Sequence, residues 1–562
     1  MSSSSASTLA IPSFETAKGW GVEEVEAYLR SNQTKFSLNN NEIERIRDDG
    51  YNGSAFLNIT KDKLLQLGLR GGPTTNIIKF VIQLNSQNDG PPRKHPRLVR
   101  EDEEPMKWLE QSKDIPNIVI NGNYVPGISE FSGFIKSGIF VDKSLFIMEF
   151  MVYGKKANLI TRPHQFGKST NLSMLHAFLA PSLTEGERTQ KLNLFKGLRI
   201  SKFEWFMKLH FGNWPIIHIS FKDLNNKSWQ LMLNSLGQRM SKLYENYRYI
   251  LDDKKLSDTE ENFFKKILNG TTDESYLIEA LSSLAKYLYT YYDKCSIILI
   301  DDYDWPMEHT EKINYDDINS LFQFMYSSIA KDNEYVYKIL FVGLLPLDQA
   351  NFLSGLNNVE HYPMHILRSV HGRAYFSDMF GFTEEEVKFL LKKSKLNVEL
   401  NKVRSYYNGY QTSTGIHIYN PHSVIKFLEK RIIKNYWINN SSAVTLIKCL
   451  KKCNQDIKRQ LQNLFYSFYP ILDNDSLSLV KAQLIPYLRY DILEKELKID
   501  AIYTLLYYSG YLSVKTNNSI NDKSEKEVVE QWGDNTTVEL IIPNREVAEQ
   551  WRQWIFEIIG IQ

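Results

Sequence analysis

The sequence predicts a multidomain chain: an all-α bundle first, then an α/β core with a sheet wound on both faces, a helical lid-like region and a small α+β end. Three observations carry this. Apolar residues recur at helical spacing up to Leu84 and then give way to Asn88-Asp-Gly-Pro-Pro-Arg-Lys-His-Pro-Arg97, where proline and charge replace the pattern. After residue 130, short β-branched runs alternate with amphipathic stretches of helix length, the pattern of strands covered on both sides. The chain has 562 residues, which at roughly 150 per domain allows about four units.

Composition narrows the function classes. With 67 Lys+Arg against 66 Asp+Glu the net charge is +1, so no global field draws the chain to nucleic acid or membranes. Three cysteines cannot form a disulfide framework, and Cys449 and Cys453 have no matching Cys/His pair for zinc, so they read as reduced thiols of an intracellular, cytoplasmic protein. The opening Met1-Ser-Ser-Ser-Ser has no signal-peptide character, and no apolar run reaches the roughly 18 residues that span a bilayer. No membrane contact is expected.

Residues 1–12 are Ser-rich and expected to be disordered. Residues 13–87 read as a bundle of about five short helices, built on Trp20, Val25, Leu29, Ile43, Ile46, Phe56, Leu64, Leu67, Ile77 and Val81. Asn52-Gly and Gly71-Gly-Pro read as turns, and Thr60 as an N-cap. Trp20-Gly-Val-Glu-Glu-Val-Glu-Ala-Tyr-Leu29 and Gly53-Ser-Ala-Phe-Leu-Asn-Ile-Thr-Lys-Asp-Lys-Leu-Leu-Gln-Leu-Gly-Leu69 resemble a sterile alpha motif (SAM) domain. That resemblance implies an interaction module: partners would be other SAM domains or a second copy of the chain, less often RNA.

Residues 88–126 read as a linker and lead-in segment. Arg93-Lys-His-Pro-Arg97 could serve as a nuclear-import signal, or, with Glu101-Asp-Glu-Glu104 after it, simply keep the linker solvated.

Residues 127–375 read as the α/β core. Ala157–Thr161, Pro215–Ser220, Cys295–Ile300 and Ile339–Leu345 have the length and branching of buried parallel strands, and Trp229–Leu251, Tyr276–Tyr292 and Asp317–Ala330 are helical between them. Residues 376–498 read as mainly helical. In residues 499–562, helix, strand, polar loop, strand and helix suit a winged-helix-like unit.

The chemistry concentrates in Thr161-Arg-Pro-His-Gln-Phe-Gly-Lys-Ser-Thr170, which follows a strand and opens a helix. Backbone N–H groups at such a helix start hold phosphate oxygens. Lys168 would reach the β/γ-phosphates, Gly167 would let the backbone approach, and the Ser169 hydroxyl would ligate Mg²⁺. The standard loop has a glycine where Arg162 stands. About 130 residues on, Ile297-Ile-Leu-Ile-Asp-Asp-Tyr-Asp304 ends an apolar strand in carboxylates. Asp301 would hold Mg²⁺ through water, and Asp302 is the candidate catalytic residue that orients an attacking water. Asp223, Asp304 and Glu308 read as exposed or capping carboxylates. His361 and His365 read as loop residues because Pro363 separates them, and Tyr289-Thr-Tyr-Tyr-Asp293 reads as packing more readily than base stacking. Nucleic-acid binding would need a contiguous basic face.

From Gly127 onward the chain resembles the predicted AAA-ATPase-like family, P-loop proteins often followed by a PD-(D/E)XK nuclease. Matching segments include Phe140-Val-Asp-Lys-Ser144, Arg162-Pro with Phe166-Gly-Lys-Ser169, Leu299-Ile-Asp-Asp-Tyr-Asp-Trp-Pro306, Ser354-Gly-Leu-Asn-Asn358, Tyr419-Asn-Pro-His-Ser423 and Ile542-Pro-Asn-Arg-Glu-Val547. The resemblance implies ATP and Mg²⁺ as ligands, held by Arg162, Phe166, Gly167, Lys168, Ser169 and Thr170 with Asp301. It also accounts for Arg162, since an Arg-Pro loop is usual there. This chain departs at His164 and Gln165 (two arginines in the family), at Asp302 (Glu) and at Val342 before Gly343 (Thr), which implies binding with slow or absent turnover. The residues after Val547 are too few for the nuclease unit, so nuclease activity is not expected. The alternative is a scaffold acting by protein contacts alone, favoured if Arg162 and Pro163 fill the phosphate cavity.

Overall fold

The computed structural model describes residues 12, 14–57, 59, 61–69, 73–74, 76–78, 80–81, 118–120, 130–225, 227–308, 315–346, 359–364, 375–412, 415–437, 443–468, 480–485, 498–515 and 537–556. The Ser-rich start, Thr60, the glycines of Gly71-Gly-Pro, the Arg93–Arg97 cluster, Ser354–Asn358 and His365 lie outside them. Two compact units form, residues 1–103 and 104–562.

The first unit contains the helices Phe14–Lys18, Val22–Ser31, Gln33–Phe36, Asn40–Asp48, Gly53–Phe56 and Lys61–Gln66, followed by helical residues near Ile77 and Val81. Val25, Leu29, Ile43, Ile46, Phe56, Leu64 and Ile77 form its core, as their spacing predicted, and Trp20 and Leu67 pack at its edge. The Asn52-Gly pair does more than turn the chain. Asn52 caps the helix Gly53–Phe56 by accepting from the Ala55 N–H (2.9 Å), and a Cβ at Gly53 would stand 1.9 Å from the Ala17 carbonyl oxygen.

In the second unit, β1 (Ile118–Ile120) pairs antiparallel with β2 (Ile139–Val141), so the lead-in segment is partly strand. The main sheet has β3 (Ala157–Thr161), β4 (Ile216–Ser220), β5 (Ser296–Asp301), β6 (Val336–Gly343) and β7 (Val359–Tyr362), all parallel, in the order β4-β5-β6-β3-β7. β3 and β5 are buried along their whole length, which is why they read as continuous apolar runs. Leu159, Ile217, Ile298 and Phe341 share a core with the helices Trp229–Glu245, Glu274–Tyr292 and Tyr315–Ala330. β7 escaped the periodicity because it is short and half polar. Pro363 ends this edge strand, so His361 is a strand residue, bonded at Nε2 to the Thr161 hydroxyl (2.8 Å). Tyr291 and Tyr292 pack together and against the tyrosines near Tyr249.

The region expected to be mainly helical also holds sheet. β8 (Phe382–Thr383), β9 (Tyr410–Gln411) and β10 (His417–Tyr419) pair antiparallel among the helices Glu384–Lys393, Leu400–Tyr407 and Pro421–Lys430. Strands of two or three residues leave no readable alternation. After the helices Ala443–Lys452 and Gln455–Phe468 comes β11 (Val480–Gln483), then the helix Ile499–Tyr508, β12 (Ser513–Val514), β13 (Thr537–Ile541) and the helix Arg545–Trp554. The last three strands pair in the order β11-β13-β12, so this sheet takes an edge strand from before residue 499. Trp551 and Trp554 belong to the same continuous core as the main sheet. Among the described residues no helix is long and apolar enough to cross a membrane.

Candidate functional site

The loop from Thr161 to Gly167 leaves the central strand β3 and turns sharply into the helix Lys168–Leu179. Gln165 (φ +65°) and Gly167 (φ +84°) both take the left-handed backbone region, and nothing lies within 4 Å of a Cβ built on Gly167. Glycine is needed there for its torsion, not for space. Arg162 is 1% exposed and turned away from the cavity: its guanidinium donates to the carbonyls of Thr161 (2.8 Å), Tyr362 (2.8 Å) and Phe376 (3.0 Å) and sits 5.2 Å above the Phe380 ring. Burial pulls its pKa down to about 10, and it fastens the loop to the back of the sheet. Pro163 packs against Gly510, where a Cβ would come within 2.9 Å of the proline ring. Neither Arg162 nor Pro163 lines the cavity. Lys168 Nζ donates to the Arg162 and Pro163 carbonyl oxygens, both at 2.9 Å, so the amine sits inside its own loop. Burial lowers its pKa, and Asp302 and Asp301 oppose that.

The acidic partner comes from β5. β6 lies between β3 and β5, yet Ser169 and Asp301, whose carboxylate is 4% exposed, line the same cavity. Burial raises the Asp301 pKa, and Ser169 and Lys168 pull it back. Asp302 also has a left-handed backbone (φ +48°), and its N–H donates to Asp301 Oδ1 (3.1 Å). Burial and the neighbouring Asp301 push it up to about 6. Asp304 is a capping carboxylate, but a buried one: its Oδ2 accepts from the N–H groups of Leu344 (2.8 Å) and Leu345 (2.7 Å), fixing the end of β6. Glu308 is buried as well, and desolvation holds its pKa well above the carboxylate range. Only Asp223 of these three is exposed.

These loops floor a cavity of about 920 Å³. Phe166, Gly167, Lys168, Ser169, Thr170, Asp301 and Asp302 line it together, as do Lys222, Ser220 and the imidazoles of His176 and His218, whose pKa values burial lowers to about 4. The Phe166 ring also packs on Tyr410, Met364 and Ile418. The rest of the lining comes from distant sequence and is largely apolar: Phe134, Ile139 and Val141 from the β2 region, and Phe382 and Ile425 from the lid, with the polar His422 beside them. Lys143, after β2, is bound by the Glu386 carboxylate (2.7 and 2.9 Å) and the Asp378 carbonyl (2.7 Å), a buried tie between that wall and the lid helix Glu384–Lys393. Sequence reasoning missed this wall. The available signals were local caps, Thr383 with Glu386 and Asn420 before Pro421-His, each marking a helix start beside the cavity.

Residues 126–352 match the family model described as "Predicted AAA-ATPase", and residues 1–83 match the one described as "SAM-like domain". A protein of Azotobacter chroococcum mcd 1, described as "Uncharacterized protein in vnfD 5'region", is 22% identical over 325 residues, covering 55% of this chain and 52% of the relative. The chain thus spans about half the length of the curated relative it matches.

Proposed function

With a SAM-like domain at residues 1–83 and a predicted AAA-ATPase domain at residues 126–352 as its matched parts, we propose that the chain is a nucleotide-dependent switch that binds ATP with Mg²⁺ and turns it over slowly or not at all. The observation that carries this is the meeting of Lys168, Ser169 and Asp301 at the floor of one cavity of about 920 Å³. The donor set fits: a hydroxyl and a carboxylate oxygen are the hard ligands Mg²⁺ prefers, and the volume lies within the roughly 300–1,000 Å³ of small-molecule pockets. Bound Mg²⁺ would neutralise phosphate charge.

The chain's own groups would do the rest. The N–H groups at the start of the helix Lys168–Leu179 hold phosphate oxygens, Lys168 exchanges its two carbonyl partners for phosphate, and Asp302 orients a water. Its side chain is one methylene shorter than the family's Glu, and a misplacement of about an ångström costs on the order of 10²-fold in rate. The SAM-like domain would mediate association, with other SAM domains or a second copy of the chain.

Isothermal titration of the full chain with Mg-ATP tests the reading. Binding that is lost or strongly weakened in Lys168→Ala is expected, and no binding by the unsubstituted chain would overturn it. Phosphate release that disappears in Asp302→Asn would identify Asp302 as catalytic. Val342, with no hydroxyl at the end of β6, and the short Asp302 favour a second reading, a scaffold that acts by protein contacts alone, for which the titration gives no heat.

A further inference from the structure

Tyr436 and Trp437 tie three parts of the second unit together. Trp437 is 1% exposed, and its indole Nε1 donates to the His164 carbonyl oxygen of the phosphate loop (3.2 Å). Its backbone N–H donates to Glu546 Oε1 (2.9 Å), as does the Tyr436 N–H, while the Ser423 hydroxyl donates to Glu546 Oε2 (2.7 Å). Glu546 stands in the first turn of the helix Arg545–Trp554 and is 1% exposed. One carboxylate therefore fixes Ser423, the residue after His422 in the chain, together with the Tyr436–Trp437 peptide.

His422 lines the same cavity as Lys168, Ser169 and Thr170. It lies in the first turn of the helix Pro421–Lys430, but that helix end cannot itself serve a ligand well. Pro421 has no N–H, and Asn420 Oδ1 already accepts from the N–H groups of His422 (3.0 Å) and Ser423 (3.4 Å). What this helix presents to the cavity is the imidazole. Burial, with Lys426 nearby, lowers its pKa, so the free ring is neutral near pH 7, and a bound anion would favour the charged form that donates from both nitrogens.

We propose that His422 contacts the phosphate chain of a bound nucleoside di- or triphosphate, and that Glu546 is the positioning residue that sets its ring. The inference rests on the nucleotide reading above. Through Glu546 and Trp437 it joins the phosphate loop to the C-terminal helix Arg545–Trp554.

The test is titration of the full chain with Mg-ATP, Mg-ADP and adenosine, using the unsubstituted chain, His422→Ala, His422→Gln and Glu546→Gln. A hydrogen bond to a charged group predicts that His422→Ala weakens Mg-ATP roughly 10–100-fold while adenosine binding is unchanged, with partial recovery in His422→Gln and a smaller loss in Glu546→Gln. Equal weakening for adenosine and Mg-ATP would mark a packing role and overturn the proposal. So would unchanged Mg-ATP affinity in either His422 variant that retains the native circular-dichroism spectrum. If the unsubstituted chain binds no nucleotide, it is the underlying reading that fails, and this result is distinct from both.

Discussion

The two walls of the cavity are held by different physics. On the core wall, Lys168 and Ser169 are neighbours in one loop, Asp301 and Asp302 in another, and their charges face the cavity or their own loop. On the lid wall, the contacts join residues far apart in the chain: Lys143 with Glu386 at a separation of 243, Ser423 with Glu546 at 123 and Trp437 with Glu546 at 109. A wall built from local loops can place reactive groups at little cost to the fold. A wall built from distant pairs holds the lid and C-terminal helices in place, and its polar groups are committed to that. Substitutions on the core wall should therefore change binding first, and those at the buried pairs Lys143–Glu386 and Ser423–Glu546 should change stability first.

The largest expected effect is on the lid wall. Lys143→Ala would leave the Glu386 carboxylate, only 8% exposed at its side chain, without its cation. Removing one partner of a buried pair costs about 3–5 kcal/mol, read as a lower urea midpoint of unfolding. The double variant Lys143→Met/Glu386→Met should recover much of that loss, since the uncompensated charge is gone. A loss below about 1 kcal/mol in Lys143→Ala would break the comparison.

Lys168→Ala sharpens it from the other side. Its amine is desolvated and, among the described residues, has no carboxylate in direct hydrogen-bond contact, so its removal should shift stability by about 1 kcal/mol or less while Mg-ATP affinity falls roughly 10–100-fold. A large drop in melting temperature would place Lys168 among the structural groups instead. Gly343→Ala probes the seam between the walls' supports. A Cβ there would stand 2.5 Å from Asp304 Oδ1 and 2.6 Å from the Tyr303 ring, so the acidic loop must shift away from β6. Overpacking of this kind costs about 1–3 kcal/mol and should displace Asp302 as well, visible as a joint loss of stability and of any phosphate release.

What was legible in the sequence follows the same division. The strands β3 to β6 and the long helices between them could be read because burial on both faces and 3.6-residue periodicity leave local signatures, as in Ile297–Ile300 or Leu277–Leu288. The Gly-Lys-Ser and Asp-Asp motifs could be read because their chemistry is consecutive. The Arg162 side chain could not: its place in the phosphate loop and the family resemblance implied a ligand contact, but its partners are the carbonyls of Tyr362 and Phe376, some 200 residues away. The pairings of Lys143 with Glu386 and of Ser423 with Glu546 were equally silent, since only the folded topology makes them. The segments around Tyr419-Asn-Pro-His-Ser423 and Ile542–Val547 stood out in the sequence, but their joint role depends on the Ser423 hydroxyl meeting the Glu546 carboxylate.

The smallest effect is a pH dependence that isolates Glu546. Burial pushes its pKa from 4.5 up to about 7 in the folded chain, against the opposing pull of the Tyr436 and Trp437 N–H groups and the Ser423 hydroxyl. A raised carboxylate pKa means that the folded state holds the proton more tightly than the unfolded state, so the group's contribution to stability falls as pH rises from about 4.5 to about 7 and is level above that. Buried histidines such as His176, His210 and His218, lowered to about 4, act in the opposite sense and lose stability as pH falls below about 6.5. The difference between the unsubstituted chain and Glu546→Gln removes them, because they are common to both. That difference should move against the unsubstituted chain by on the order of 1–2 kcal/mol between pH 4.5 and pH 7.5 in parallel urea titrations. A flat difference would mean that the carboxylate stays charged across the range and that its three donors outweigh its burial, making Glu546 a fixed anchor for Tyr436, Trp437 and Ser423 at every pH.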